Sequence, residues 1–176
     1  MLTGVIWSTG GFMIKLIPWP PLVIAGLRSG VAALVIYLYN RPQKFPLGKF
    51  TLGGAIAYAV MVIFFVLANK LTTAGNTILI QYTAPVYVAV IGFSFLRERV
   101  SLIDWITILF ILSGLLLFFL DDLSGTNLWG NIAAIFSSFG FSGLILFLRK
   151  QKQGRPIDSV LMGNLLTFFI LSLIHI

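Results

Sequence analysis

The residues able to do chemistry are few, and their placement does not suit catalysis. The five carboxylates are Glu98, Asp104, Asp121, Asp122 and Asp158, each at the end of an apolar run or in a short polar break. There is no cysteine, and the one histidine, His175, sits beside the last residue. A lone histidine makes no metal site, and without cysteine there is neither a thiolate site nor a disulfide framework. The sequence holds no His-Glu zinc signature, no nucleophile elbow and no phosphate-binding loop. Neither an enzyme nor a cofactor is expected.

What remains is a small set of polar and charged groups inside apolar runs. Residues 79–99 read LIQYTAPVYVAVIGFSFLRER. Pro85 removes a backbone donor, so the carbonyl of Gln81, four residues earlier, must find another partner. A bare carbonyl in lipid costs several kcal/mol, so this face is expected to look at protein or at a water-filled cavity. Two readings stay open for Gln81 and Tyr82: hydrogen bonding to a substrate, or to a neighbouring helix. Lys15 and Arg28 are cations within or near apolar runs, where a charge is costly and marks function by default. Lys15 is one turn from its helix end and is read as an anchor that snorkels to the surface. Arg28 is deeper; a helix C-terminus, an acidic residue or an anionic substrate group are its alternatives. Glu98, between Arg97 and Arg99, reads as a salt-bridge clasp on the gate side. Asn131, Ser138 and Ser142 form a stripe that either lines a cavity or packs. Trp7, Tyr58, Phe65 and Tyr87 are candidate cavity aromatics. Gly26 and Gly30, and Gly53, Gly54 and Ala57, predict close helix contact within one subunit or between two.

These residues must be positioned by membrane helices. The 176 residues are 59% hydrophobic and only 10% charged, against roughly a quarter charged in a soluble domain, and the mean hydropathy is +1.02. The apolar residues come in seven blocks, near 2–17, 21–40, 50–69, 75–96, 102–120, 127–148 and 157–176. Runs of about 20 apolar residues read as spanning helices. They do not alternate as barrel strands would. Pro18-Trp19-Pro20-Pro21, Arg41 to Pro46, Asp121 to Gly125 and Arg149 to Pro156 separate them.

The net charge is +7, but the cations sit between apolar blocks and set topology, so nucleic acid is not an expected partner. With the N-terminus in the cytoplasm, the inner ends carry Arg41, Lys44, Lys49, Arg97, Arg99, Arg149, Lys150, Lys152 and Arg155, and the outer ends only Lys15 and Lys70. That is a consistent positive-inside bias. Trp19, Trp105 and Trp129 fall at interfaces. The first block is short and the last runs to Ile176 without a polar tail, so a fragment is expected.

Trp7 and Lys15 in the first helix, Arg28 in AGLRSG, ANKL at 68–71, Pro85, the FLRERVS closure and DWITILFILSGLLLFF follow in an order that resembles the EamA-like family of the drug/metabolite transporter superfamily. The resemblance covers one five-helix repeat. It implies an all-α polytopic membrane protein: about seven transmembrane helices here, part of a ten-helix fold of two inverted repeats around a central cavity. The expected division is a first repeat at 1–122 and an incomplete second repeat of two helices at 126–176. Because an odd number of helices puts helix six on the opposite side from helix one, inversion also fits the charge pattern. The expected function is export of small metabolites or amino-acid-like compounds by alternating access across the inner membrane. Trp7, Arg28, Gln81, Tyr82, Pro85 and Ser138 would border the path, with Lys15 and Glu98 as gate or structural residues. Expected partners are a small-molecule substrate and the lipid bilayer; the oligomeric state is open, a homodimer included. The rival classes are an intramembrane enzyme, and a membrane sensor or scaffold.

Overall fold

A computed structural model of the chain describes residues 10–41, 48–97, 100–119, 128–151 and 155–174. Within these, every regular element is a helix: α1 (10–16), α2 (Pro21–Asn40), α3 (Lys49–Leu71), α4 (Ala74–Gln81), α5 (Ala84–Phe95), α6 (Leu102–Phe119), α7 (Leu128–Lys150) and α8 (Pro156–Ile174). The side chains at 115, 116, 118, 119 and 174 lie outside the description.

The helix ends follow from local chemistry. α1 ends at residue 16, two residues before Pro18, and Pro21 opens α2, where its missing donor costs nothing. Arg41 closes α2 in the left-handed conformation, φ 38°, and its N–H donates to the Tyr37 carbonyl. Thr73 caps α4 by accepting from the Asn76 N–H at 3.1 Å. Ser101 and Asp104 form a reciprocal cap at the start of α6: the Ser101 N–H donates to Asp104 Oδ2 at 2.9 Å, and the Asp104 N–H donates to Ser101 Oγ at 3.2 Å.

Among the described residues, five segments are long and apolar enough to cross a membrane: Pro21–Asn40, Lys49–Leu71, Ala74–Phe95, Leu128–Lys150 and Pro156–Leu173. This is a multi-pass membrane protein. Of the seven blocks, block one is described only in its last part, and α6 counts as apolar over Leu102–Gly114 because the side chains beyond are not all described. Block four differs. The sequence reading was a single helix kinked at Pro85. The structure has two helices within one span, Ala74–Phe95, because Tyr82 (φ −69°, ψ −2°) and Thr83 (φ −73°, ψ −11°) stay right-handed but tighten the backbone between them. There the Thr83 N–H reaches the Ile80 carbonyl and the Val86 N–H the Thr83 carbonyl, both at 3.0 Å, a tight i→i+3 turn.

α3 is the centre of the bundle and packs on α2, α4, α7 and α8; α7 also packs on α4 and α5. In lipid there is no hydrophobic force between helices, so close packing must hold them. Small residues supply it. A Cβ at Gly140 of α7 would stand 2.6 Å from the Met61 backbone nitrogen and 2.9 Å from the Ala57 carbonyl; one at Gly163 of α8 would stand 2.7 Å from Tyr58 Cβ. Gly26 and Gly30 lie against Leu171 and Phe168 of α8, and Gly53 and Gly54 against Phe147 of α7 and Ser159 of α8. Both small-residue groups read from the sequence therefore make contacts within the chain. Met61, Val62, Phe65 and Val66 of α3 form the apolar core with Ile24, Leu144 and Leu171. The outer faces of α2 and α6 expose Val31, Leu34, Leu38, Leu109 and Phe110, as helices facing acyl chains do.

The basic residues gather at one end. Arg155 touches the last residue of α2, and Lys150 lies 5.6 Å over the Phe95 ring at the close of α5. At the other end Lys70 donates to the Ile17 carbonyl just past α1. Of the two groups of cations separated in the sequence reading, Lys150 and Arg155 thus stand at one end of the bundle and Lys70 at the other.

Candidate functional site

The polar groups inside the bundle converge on the break between α4 and α5. Pro85 has no N–H to return to the Gln81 carbonyl. That carbonyl instead accepts from Ser138 Oγ of α7 at 3.2 Å. The same hydroxyl lies 2.9 Å from Thr83 Oγ1. One residue earlier on α7, Ser137 Oγ accepts from Gln81 Nε2 at 3.1 Å and donates to the Met61 carbonyl of α3 at 3.0 Å. Adjacent serines thus serve two helices: Ser138 answers the broken backbone of α4, and Ser137 ties the Gln81 amide to α3. Gln81 is 4% exposed and both serines are fully buried. A buried seam of this kind avoids the cost of unpaired polar groups in a low-dielectric interior.

Two aromatic contacts flank the seam. Tyr87 stacks on Phe139 with ring centroids 4.0 Å apart, and Phe64 stacks on Phe136 at 5.2 Å. These pairs hold α5 and α3 to the face of α7 that carries the serines.

On its other side Pro85 borders a cavity of about 450 Å³ between α5, α6 and α7, within the size range of small-molecule sites. Val88, Ala89, Gly92, Ile108 and Ile145 make its walls apolar, and Asp104 and Arg149 line it as well. Asp104 stands in the first turn of α6 and Arg149 at the last turn of α7, so the charged lining lies at the basic end.

The structure brings Gln81, Pro85 and Ser138 together and leaves Tyr82, Arg28 and Lys15 elsewhere. Tyr82 is 56% exposed and points away from the buried seam. Arg28 is exposed on α2, which packs on α3 and α8, whereas the seam is built from α3, α4 and α7. Lys15 is exposed, as an anchor would be. Trp7 and Glu98 lie outside the described residues. Of the predicted stripe, Ser138 and Ser142 are buried, and Ser142 Oγ donates to the Phe139 carbonyl of its own helix at 2.8 Å. Ser137 and Thr83 were missed. Ser137 was legible only as half of a serine pair, with nothing to say that each hydroxyl would face a different helix. Among the described residues no group of three or more His, Cys, Asp or Glu could hold a metal ion.

The profile described as the EamA-like transporter family matches residues 1–120. No curated protein and no solved structure matches the chain.

Proposed function

The chain belongs to the EamA-like transporter family, and from that premise we propose that it moves small metabolites or amino-acid-like compounds out of the cell by alternating access. The observation that carries this reading is the α4–α5 break. A proline-interrupted spanning helix has its freed carbonyl answered by Ser138 from α7, and the same proline borders the cavity between α5, α6 and α7. Interrupted helices next to a midplane site are how many secondary transporters combine binding with movement. In this reading the chain carries a first repeat at 1–122 and the start of an inverted second repeat at 126–176. The break between α4 and α5 is the hinge, and Gln81, Ser137 and Ser138 hold it to both repeats. The N-terminus and the basic end face the cytoplasm of an inner membrane, following the distribution of Lys and Arg.

The test is substrate flux by the full-length protein reconstituted in liposomes, compared with Pro85→Ala and Ser138→Ala variants inserted to the same level. A substrate panel of amino acids and small metabolites identifies the cargo. Modification of a lipid without flux would replace transport by an intramembrane enzyme.

A further inference from the structure

At the basic end a second polar cluster joins the two repeats, and the proposed hinge does not use it. Asp158, in the first turn of α8, is 4% exposed. Asn40 Nδ2, at the last residue of α2, donates to its Oδ1 at 3.4 Å. Arg155 Nε lies 3.9 Å from Asp158 Oδ2, and the same guanidinium donates through Nη2 to Asn40 Oδ1 at 2.7 Å and to the Asn40 carbonyl at 3.3 Å. The three side chains close a ring in which Arg155 also satisfies a carbonyl at the C-terminus of α2. Arg155 is half exposed and Asp158 is not, so the carboxylate is buried beneath its partners.

A second set stands beside it. Gln151, just past α7, donates through Nε2 to the Phe50 carbonyl in the first turn of α3 at 2.8 Å and to the Phe147 carbonyl at 3.2 Å. Its Oε1 accepts from Ser159 Oγ of α8 at 2.9 Å. Ser159 is fully buried, and a Cβ at Gly54 of α3 would stand 2.8 Å from its hydroxyl. Both sets cross from α2 or α3 to α7 or α8. At the opposite end the buried oxygens Asn69 Oδ1, Thr72 Oγ1 and Asn131 Oδ1 have no hydrogen-bond partner among the described residues. At the basic end five side chains, Asn40, Gln151, Arg155, Asp158 and Ser159, fasten these helices to one another.

We infer that Asn40, Arg155 and Asp158 form a latch that holds the basic ends of α2 and α8 shut, with Gln151 and Ser159 as its second fastening. In this conformation the basic ends of α2 and α8 are closed on each other. The role of the latch in transport rests on the proposed function; the closure itself does not. When the latch opens, Asp158 and Ser159 gain access to water.

The experiment reads that access directly in the full-length protein in its membrane. The 176 residues hold no cysteine, so once any cysteine elsewhere in the full-length protein is replaced, a single introduced thiol reports its own site. Ser159→Cys weakens the second fastening equally in every background and leaves the Asn40–Arg155–Asp158 ring whole; it is alkylated with N-ethylmaleimide in three backgrounds: otherwise unchanged, Asp158→Asn and Asn40→Ala. The two latch variants act from opposite helices, so a folding defect in one leaves the other informative. Thr72→Cys, buried at the opposite end, is the control for general loosening. Each latch variant is expected to raise Ser159→Cys alkylation about tenfold, the scale for losing a charge-assisted hydrogen bond, while Thr72→Cys is unchanged. Equal Ser159→Cys rates in all three backgrounds, or parallel acceleration of Thr72→Cys, overturn the latch. If the protein shows no substrate flux while the Ser159→Cys effect is intact, the latch stands and the transporter reading fails.

Discussion

The Gln81 carbonyl and the Ser138 hydroxyl stand 3.2 Å apart across two helices, joining a backbone group orphaned by Pro85 to a donor supplied by α7. The pair explains why a proline is tolerated there. A carbonyl freed inside a bilayer needs a donor, and α7 places one where α4 ends. The arrangement also makes the break a joint between helices, since movement of α5 relative to α4 must work against a fixed contact with α7.

Ser138→Ala leaves that carbonyl buried and unanswered, and is expected to cost about 1–3 kcal/mol of stability, the penalty for stranding a buried acceptor. Pro85→Ala restores an N–H at the position that should supply the bond. The cost of Ser138→Ala is therefore expected to shrink in the Pro85→Ala background. A double-mutant cycle read by unfolding in detergent or bicelles checks the coupling. Additive effects would remove the proposed relation between the two residues.

Gly140→Ala is expected to be among the most damaging small substitutions in the chain. Its Cβ would meet backbone atoms of α3 at 2.6 and 2.9 Å, and backbone cannot step aside as a side chain can. Overpacking of this kind costs about 1–3 kcal/mol or more. Gly114→Ala on α6, with nothing within 4 Å, is expected to be neutral or slightly stabilising, since alanine is the better helix former. Thermal unfolding of the two variants side by side gives the comparison.

Thiols introduced at the two ends test the orientation. A cysteine replacing Arg155 is expected to react with an impermeant maleimide only from the cytoplasmic side, and one replacing Lys15 only from the outside, following the positive-inside bias. Labelling intact cells against inverted vesicles reads this, and the reverse pattern would invert the topology.

Much of the architecture was readable in the sequence because its punctuation is strong. Pro20-Pro21, the charges after Phe147 and the proline at 156 mark helix ends by removing donors or refusing lipid. The need for a partner at the Gln81 carbonyl was also legible, since it follows from one missing N–H. The identity of that partner was not, because Ser138 lies 57 residues away and nothing local says which α7 hydroxyl faces α4. The full break into α4 and α5 was hidden too: Tyr82 and Thr83 carry no obligate turn signal, and tertiary bonds to α7 support the turn. The latch shows the same division. Arg155 and Asp158 are three apart and could be paired on paper, whereas Asn40, at the far end of another helix, could not. Asp158 was read as an ordinary helix-end carboxylate, and its burial comes only from packing.

The most direct test of the central claim is flux through the reconstituted full-length protein with and without the hinge. Wild-type protein is expected to move at least one small metabolite down its gradient, or against it when coupled to protons. Ser138→Ala, inserted at equal density and folded, is expected to lower that flux about tenfold, the scale of a lost buried hydrogen bond, and Pro85→Ala is expected to lower it by healing the break at the joint. Wild-type flux that neither substitution changes would contradict the account.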